Sequence, residues 1–383
     1  MVNEALIGSL TALRRELHRN PEISGDEGWT AARIADALKH CEPDHLLTGI
    51  GGHGVVAIWE SGSPGPSVMI RSELDGLPII DKAPVEWRST IEGRGHLCGH
   101  DGHMAILMGL ASQLHARPIA RGRAILLYQP AEENGAGAAA MLADPRFAGI
   151  RPDIAFALHN LPGMEKGAVA IRPGPMCYAS EGLSIRLTGR TSHASQPEAG
   201  LSPAAAMCEL VDGLPRLPAT LGHPAGQSVV TLVHARLGEE AFGIAPGEAH
   251  VMATLRAIDD ERQDALMQAA RAMAEAGAGR HGLEIAMETA DGFAANVNDA
   301  AAVAHVESAF ARLGLTVMPL AGPFRWSEDF GRFGQACPTA MFVLGAGEDH
   351  PPLHAPDYDF PDSIIAPGMA VFEQVIRDLC GAA

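Results

Sequence analysis

The sequence predicts an α/β protein with two domains: a mixed, mostly parallel sheet with helices on both faces, and an inserted ferredoxin-like α+β domain. Length is the first reason. A chain of 383 residues exceeds the roughly 250–300 at which a single hydrophobic core stops growing. Between residues 67 and 160, short β-rich runs alternate with helical stretches, the βαβαβ order of a parallel sheet. From 180 to 288 the order becomes β-α-β-β-α-β. Residues 1–179 and 289–383 are expected to form one domain, and residues 180–288 the other.

At the start, Leu6, Leu10, Leu13 and Leu17 recur at helical spacing, and Asn20-Pro21 ends that helix. The sheet domain then reads strand SVMIRSELD, helix DGHMAILMGLASQLH, strand RAILLYQPAEE, helix GAGAAAML and strand DIAFALHN. Sheets of this kind bind ligands just beyond the carboxyl ends of their strands. Polar residues stand at those ends: Glu73 and Asp75, then Glu132 and Glu133, then His159. The inserted domain reads strand LSIRLTG, helix SPAAAMCELVDGL, strands SVVTLVHARLG and AHVMATLRAID, helix ERQDALMQAARAMAEAG and strand LEIAMET. After Gly292 the first rhythm returns through AAVAHVESAFARLGL and the apolar strand TAMFVLGAG, followed by LHAPDYDF and a last helix.

Hydrophobic residues make up 47% of the chain and charged ones 19%, enough to bury cores and unlike a disordered segment. The formal net charge is −18 and no basic stripe relieves it, so a phosphate backbone would be repelled and nucleic acid is not an expected partner. No apolar run approaches the roughly 18 residues that span a bilayer, so no membrane association is expected. The first residues, with the early Glu4, lack the apolar core of a signal peptide. Cys41, Cys98, Cys177, Cys208, Cys337 and Cys380 are scattered without paired spacing, which points to a reducing cytoplasm.

The densest chemical cluster is HLCGHDGH, with His96, Cys98, His100, Asp101 and His103 immediately before an apolar helix. Thiolate and imidazole are the usual ligands of zinc-like cations, and a Cys-x-His pair can turn both side chains toward one ion. The plain alternative is a capped helix start beside an inert cysteine. In YQPAEENGAG two adjacent acids end an apolar strand. Their repulsion is most simply relieved if one binds a cation and the other moves a proton, unless both are surface loop residues. His159 and His354 taken singly read as ordinary loop histidines. Together with Cys98, His100 and Glu133 they make five donors, too many for one tetrahedral zinc and suited to two ions.

The segments ELHRNPEISGDE, SELDGLPI, HLCGHDGHMAILMG, YQPAEENGAG, ALHNLPG, GAVAIRPGP, WSEDF and LHAPDYDF follow one another across nearly the whole chain. In that order they resemble the aminoacylase, hippurate hydrolase and indoleacetyl-amino-acid hydrolase family of dinuclear metallo-amidohydrolases. The resemblance implies Cys98, His100, Glu133, His159 and His354 as metal ligands, Glu132 as general base and Asp75 as the acid that orients a ligand from behind. It also implies that the inserted domain is a lid that dimerises. His193, in LTGRTSHASQP, would approach the substrate carbonyl from that lid. Without the resemblance it reads as a polar strand end. Arg256, in ATLRAID, would hold a substrate carboxylate or pair with an acid on the sheet.

The implied reaction uses two divalent ions, zinc or manganese, to activate water against the amide of a small N-acylated compound, releasing a carboxylic acid and an amine. A homodimer or higher homo-oligomer is the implied assembly. The alternatives are a dipeptidase or exopeptidase using the same site, and a metal-bound binding protein without catalysis. Three positions depart from the family pattern: Ser72-Glu73 where Ala-Asp is common, Gly243 where Asn is common, and Arg325-Trp326 where small or apolar residues precede SEDF. They bear on the substrate rather than on the reaction.

Overall fold

Strands too apolar to face water on either side determine the first unit. The computed structural model describes residues 4–383; residues 1–3, with which the expected first domain begins, lie outside the described residues. The strands β1 (His45–Ile50), β2 (Gly54–Glu60), β3 (Ser67–Glu73), β4 (Arg123–Gln129), β5 (Ile154–Pro162), β6 (Val169–Ala170) and β7 (Thr339–Gly347) form one sheet in the order β1-β2-β4-β3-β5-β7-β6. The four central strands run parallel, with Met69 level with both Ile125 and Ala155, and Val343 level with His159. This is the large, mostly parallel sheet that the sequence predicts. Three antiparallel pairings, β1 with β2, β2 with β4 and β6 with β7, extend it at the edges and are additions to the sequence reading.

Each central strand is buried on both faces, as parallel strands between covering layers must be. Val55, Ile70, Leu126, Phe156 and Phe342 point into one core. That core is shared by helices α1 (Glu4–Arg19), α2 (Gly28–Lys39), α3 (His100–Ala116), α5 (Ala300–Leu313) and α6 (Ile365–Cys380). Helix α4 (Gly137–Ala143) buries Ala138 and Met141 outside this cluster. The alternate residues Val56, Met69, Leu127, Ala157 and Met341 are equally buried. The helices are thus concentrated on one face rather than shared evenly between two.

Helix α3 is buried without interruption from His100 to Ala111, so it is apolar all round instead of amphipathic. Ile106, Leu107, Leu110 and Leu114 each contribute about 1.5–3 kcal/mol of burial. Their combined effect is comparable to the whole net stability of a typical domain, about 5–15 kcal/mol. The first turn of α3 therefore cannot shift without loosening the core beneath it.

The second unit comprises residues 177–295 and 323–327. Its sheet runs in the order Ser228–Leu237, Glu248–Ala257, Ala179–Thr188, Glu284–Phe293, with every neighbouring pair antiparallel. Helices Ala204–Gly213 and Asp260–Arg280 complete a separate core around Ile185, Leu210, Val251, Leu255 and Leu266. Asp259 caps the longer helix by accepting the Arg262 N–H at 2.9 Å. The unit is wider than residues 180–288 because its last strand continues to Phe293, and because a later segment returns to it. The Tyr178 N–H donates to the carbonyls of Phe324 and Trp326, at 3.1 and 3.2 Å, and so fastens residues 323–327.

One position in α3 tests this packing. A Cβ on Gly102 would lie 2.3 Å from the buried Phe360 ring. Alanine would gain about 1 kcal/mol of helix propensity there, but overpacking of this kind costs about 1–3 kcal/mol. Gly102→Ala is expected to lower the denaturation midpoint, and Gly102→Ala combined with Phe360→Leu to recover it. Equal midpoints for wild type and the single variant would show that the ring moves aside freely.

Candidate metal centre

The site is assembled where β3, β4 and β5 end and α3 begins. Gly99 has φ 94, and a Cβ there would stand 2.3 Å from Asn160 Nδ2. Only glycine fits both the left-handed backbone and the contact. The turn it makes sends Cys98 and His100 to the same side. Cys98 Sγ lies 3.4 Å from His159 Nε2. His100 Nε2 lies 3.8 Å from Glu132 Oε2 and 3.9 Å from Glu133 Oε1, while the other Glu133 oxygen is 3.6 Å from His354 Nε2. The overlapping sets Cys98-His100-His159, Cys98-Glu133-His354 and His100-Glu132-Glu133 each place their donor atoms within 4.8 Å of one another. Cys98, His100, Glu132, Glu133, His159 and His354 are thus one cluster, buried except for the partly buried Glu133 and the half-exposed His354.

The donor chemistry fits a pair of divalent cations. His100 Nε2, Glu133 Oε1 and Asp75 Oδ1 are buried without hydrogen-bond partners, which is costly for polar atoms unless a ligand satisfies them. Burial and then the charges of Glu328 and Glu133 push Glu132 well above the carboxylate range. Burial raises Glu133 to about 7 against the pull of His100. Burial, Glu133 and Glu132 raise the Cys98 thiol. Burial and then His103 lower His159 to about 3, leaving a neutral ring able to ligate. His100 is the exception: despite burial, the carboxylates of Asp75, Glu73 and Glu133 raise it to about 10, so one imidazolium faces several acids, and divalent ions would supply the further positive charge and displace its proton.

The surrounding groups fix which atom each side chain of the cluster presents. His100 Nδ1 donates to the Asp75 carbonyl at 2.8 Å, so Nε2 is the free donor of that ring. His159 Nδ1 donates to the Asn160 carbonyl at 2.8 Å. Asp75 Oδ2 accepts from Ser24 Oγ at 2.8 Å and from the Glu133 N–H at 3.0 Å, so its side chain holds the backbone of Glu133. The N–H of Asp329 donates to Glu132 Oε1 at 3.3 Å. Ala131 (φ 51) and His354 (φ 65) adopt left-handed backbone, strain that persists only where the surroundings impose it. The Ala131 N–H is held by Glu27 Oε1 at 2.8 Å, and the His354 N–H by the Leu97 carbonyl at 2.8 Å.

Of the other two histidines in HLCGHDGH, His103 groups with Glu73 and His100, donor atoms within 4.8 Å of one another, while His96 belongs to no such group among the described residues. His103 Nδ1 bonds Glu73 Oε2 at 2.7 Å, and its Nε2 accepts the Asn160 N–H at 3.2 Å, so both ring nitrogens are committed. His96 is buried, and burial lowers it to about 4. Asp101 does not cap α3: its carboxylate bonds His18 and Arg14. Sequence reasoning missed the Arg71 network. This buried guanidinium pairs with Glu73, with Glu328 at 2.9 Å and with Asp329 at 2.6 Å. The available signal was an arginine inside the otherwise apolar strand SVMIRSE.

The remaining candidates lie in the second unit. His193 is exposed in a two-residue strand beside Ile244, with Nδ1 2.7 Å from Ser195 Oγ. Gly243 accepts the Ala194 N–H at 3.0 Å through its carbonyl, a role that asks nothing of its side chain. Among the described residues Arg256 pairs with no acid: its Nη1 donates to the Arg325 carbonyl at 3.1 Å and to Ser327 Oγ at 2.9 Å. Arg325 is exposed, and Trp326 stacks on Phe324 with ring centroids 4.9 Å apart.

Comparison with known proteins agrees with this chemistry. Over 361 residues the chain is 30% identical to the N-acetyl-L-cysteine deacetylase of Bacillus subtilis strain 168, covering 93% of this chain and 84% of that protein. It is 32% identical over 256 residues to the hippurate hydrolase of Campylobacter jejuni, covering 67% and 66% of the two chains. A crystal structure of a Bacillus subtilis dinuclear metal-binding peptidase of the M20 family matches the fold with a TM-score of 0.83 at 24% identity, over 100% of both chains. The sequence profile of peptidase family M20/M25/M40 matches residues 69–378, and the chain belongs to that family.

Proposed function

We propose that this chain is a metal-dependent amidohydrolase that cleaves the amide bond of an N-acyl amino acid or a similar small N-acylated compound. The observation that carries the reading is the adjacency of Glu132 and Glu133. Glu133 offers each oxygen to a different histidine, His100 and His354. Glu132 is oriented by the Asp329 N–H beside the same cluster. One acid is placed to ligate and its neighbour to move a proton. The relatives named as a deacetylase of acetylcysteine and as a hippurate hydrolase both act on N-acylated amino acids.

In this reading Cys98, His100, Glu133, His159 and His354 hold two divalent ions, zinc or manganese. Bound there, the ions would supply Lewis acidity and make water nucleophilic at neutral pH. Glu132 takes the proton from the attacking water and returns it to the departing amine. Asp75 keeps His100 in the tautomer that offers Nε2, as the 2.8 Å bond to its carbonyl requires. His193 donates to the carbonyl oxygen as it gains charge. The second unit, with its ferredoxin-like strand order, serves as lid and dimerisation surface. Among the described residues no helix is long and apolar enough to cross a membrane, and we assign the protein to the cytoplasm.

Arg325 extends the reading to substrate class. It is exposed and lies in the segment that departs from the family pattern just before SEDF. Its fixed guanidinium suits an anionic group on the substrate, with Trp326 and Phe324, which stack on each other, as an apolar counterpart.

Three experiments test these roles. Metal analysis and steady-state kinetics on a panel of acyl-amino acids should show Glu132→Gln retaining its ions while kcat falls at least roughly 100-fold, the scale of a lost general base. Glu133→Gln should lose ions. Near-normal rates in both variants, or turnover by fully ion-depleted enzyme, would sink the assignment, and cleavage of free dipeptides alone would identify an exopeptidase. His193→Ala should keep its ions and lose kcat, because an oxyanion donor acts in the transition state; a change in KM alone is incompatible with that role. Arg325→Ala should weaken kcat/KM for acidic substrates by about 1.5–3 kcal/mol while sparing matched neutral amides. Equal losses on both would remove Arg325 from substrate recognition.

A further inference from the structure

Arg14 and His18 lie one turn apart on α1, and both are fully buried. Buried charged side chains are rare without partners, and the partners here are specific. Arg14 Nη1 donates to Asp359 Oδ1 at 2.6 Å and to Asp101 Oδ2 at 3.4 Å, and Nε donates to Asp362 Oδ1 at 2.8 Å. His18 Nδ1 lies 2.8 Å from Asp101 Oδ2, and its Nε2 lies 3.2 Å from Asp81 Oδ2. Trp87 Nε1 donates to the same Asp359 oxygen at 3.0 Å.

Three of these aspartates, Asp101, Asp359 and Asp362, sit on two segments that each carry a proposed ligand. Asp101 follows His100 in the first turn of α3, while Asp359 and Asp362 follow His354 by five and eight residues. The two histidines meet the opposite oxygens of Glu133, at 3.9 and 3.6 Å. A shift of one segment against the other would break this bridge. His354 also holds a left-handed backbone, φ 65, which relaxes unless it is clamped on both sides. Its N–H is clamped by the Leu97 carbonyl, and the Arg14 fork clamps the chain beyond it.

We propose that Arg14, supported by His18, is a positioning residue for the metal centre, locking the His354 segment to the start of α3 so that His100 and His354 reach Glu133 together. The proposal rests on the reading of these histidines as ligands. Lysine could replace the charge of Arg14 but not the planar fork that grips two aspartates at once.

The test is a titration of ion-free full-length protein with manganese, followed by calorimetry, on wild type, Arg14→Lys and Asp359→Asn. Asp359→Asn keeps an acceptor for Trp87 and is the milder change should Arg14→Lys fail to fold. Circular dichroism and the thermal midpoint establish that each variant is folded. Wild type is expected to take up two ions. The folded variants should bind one of them about 10–100-fold more weakly, the usual penalty for losing support behind a ligand, with kcat falling more than KM rises. Folded variants that bind both ions with wild-type affinity, whatever their thermal midpoint, would overturn the proposal. Failure of wild type to bind manganese or zinc would instead overturn the functional reading on which it rests.

Discussion

The neutralisation of Arg71 determines how much negative charge this protein gathers at the end of its sheet. The guanidinium is buried in β3 and meets Glu73, Glu328 and Asp329. A buried cation left unpaired would be destabilising by several kcal/mol, and so would each of the acids without it. Glu73 then has a second bond to spare for His103, which receives the Asn160 N–H on its other nitrogen. Asn160 in turn donates to the Cys98 carbonyl at 2.7 Å. A chain of satisfied contacts thus runs from one arginine to the turn that aims Cys98 and His100. Glu132 feels Arg71 only as the least of its charges, and Glu133 faces His100, so both acids still gather more negative charge than the protein neutralises.

That division explains what could be read from the sequence. Strands β3, β4, β5 and β7 were legible because burial on both faces leaves continuous apolar runs, against which a terminal acid or histidine stands out. Glu132, Glu133 and His159 are such residues; Cys98 and His100 were legible instead as a dense cluster before an apolar helix, and the structure brings all five together with His354. The distinction between His100 and His103 was not legible. They are three residues apart on one helix, and their fates are decided by Asp75, Glu73 and Asn160 on other strands. Arg71 gave a local signal, but Glu328 and Asp329 follow it by more than 250 residues with no periodicity to connect them. The antiparallel pair His45–Glu60 escaped notice for a different reason: its outer member has only one fully buried residue, Ile50, and carries little pattern.

The limits of the second unit show the same division between local and distant causes. Its strands and helices follow from their own periodicity, and Asp259 marks a helix start that any reader of capping residues would find. Nothing local, however, assigns Pro323–Ser327 to it. That segment is held by the Tyr178 N–H and by Arg256, both distant in sequence. Arg256 spends part of its guanidinium on a carbonyl and a hydroxyl. The residue therefore has a structural duty whether or not it also binds substrate.

The cluster also ties folding to its ions. Without a cation, Glu133 keeps its proton to about pH 7 in the folded chain, against an ordinary value of 4.5. A group whose folded value is raised in this way makes the folded state bind more protons than the unfolded one across that interval, so stability falls as pH rises through it. Divalent ions reverse the sign, because they favour the anion and must displace the proton in order to bind. Ion affinity therefore rises with pH over the range in which the ion-free protein weakens. If Glu133 and the neutral His159 ligate as proposed, ions bound near neutrality would also stabilise the fold by mass action. In the proposed reading, burying more acid than Arg71 can neutralise would make the metal centre part of the folding equilibrium as well as of the chemistry.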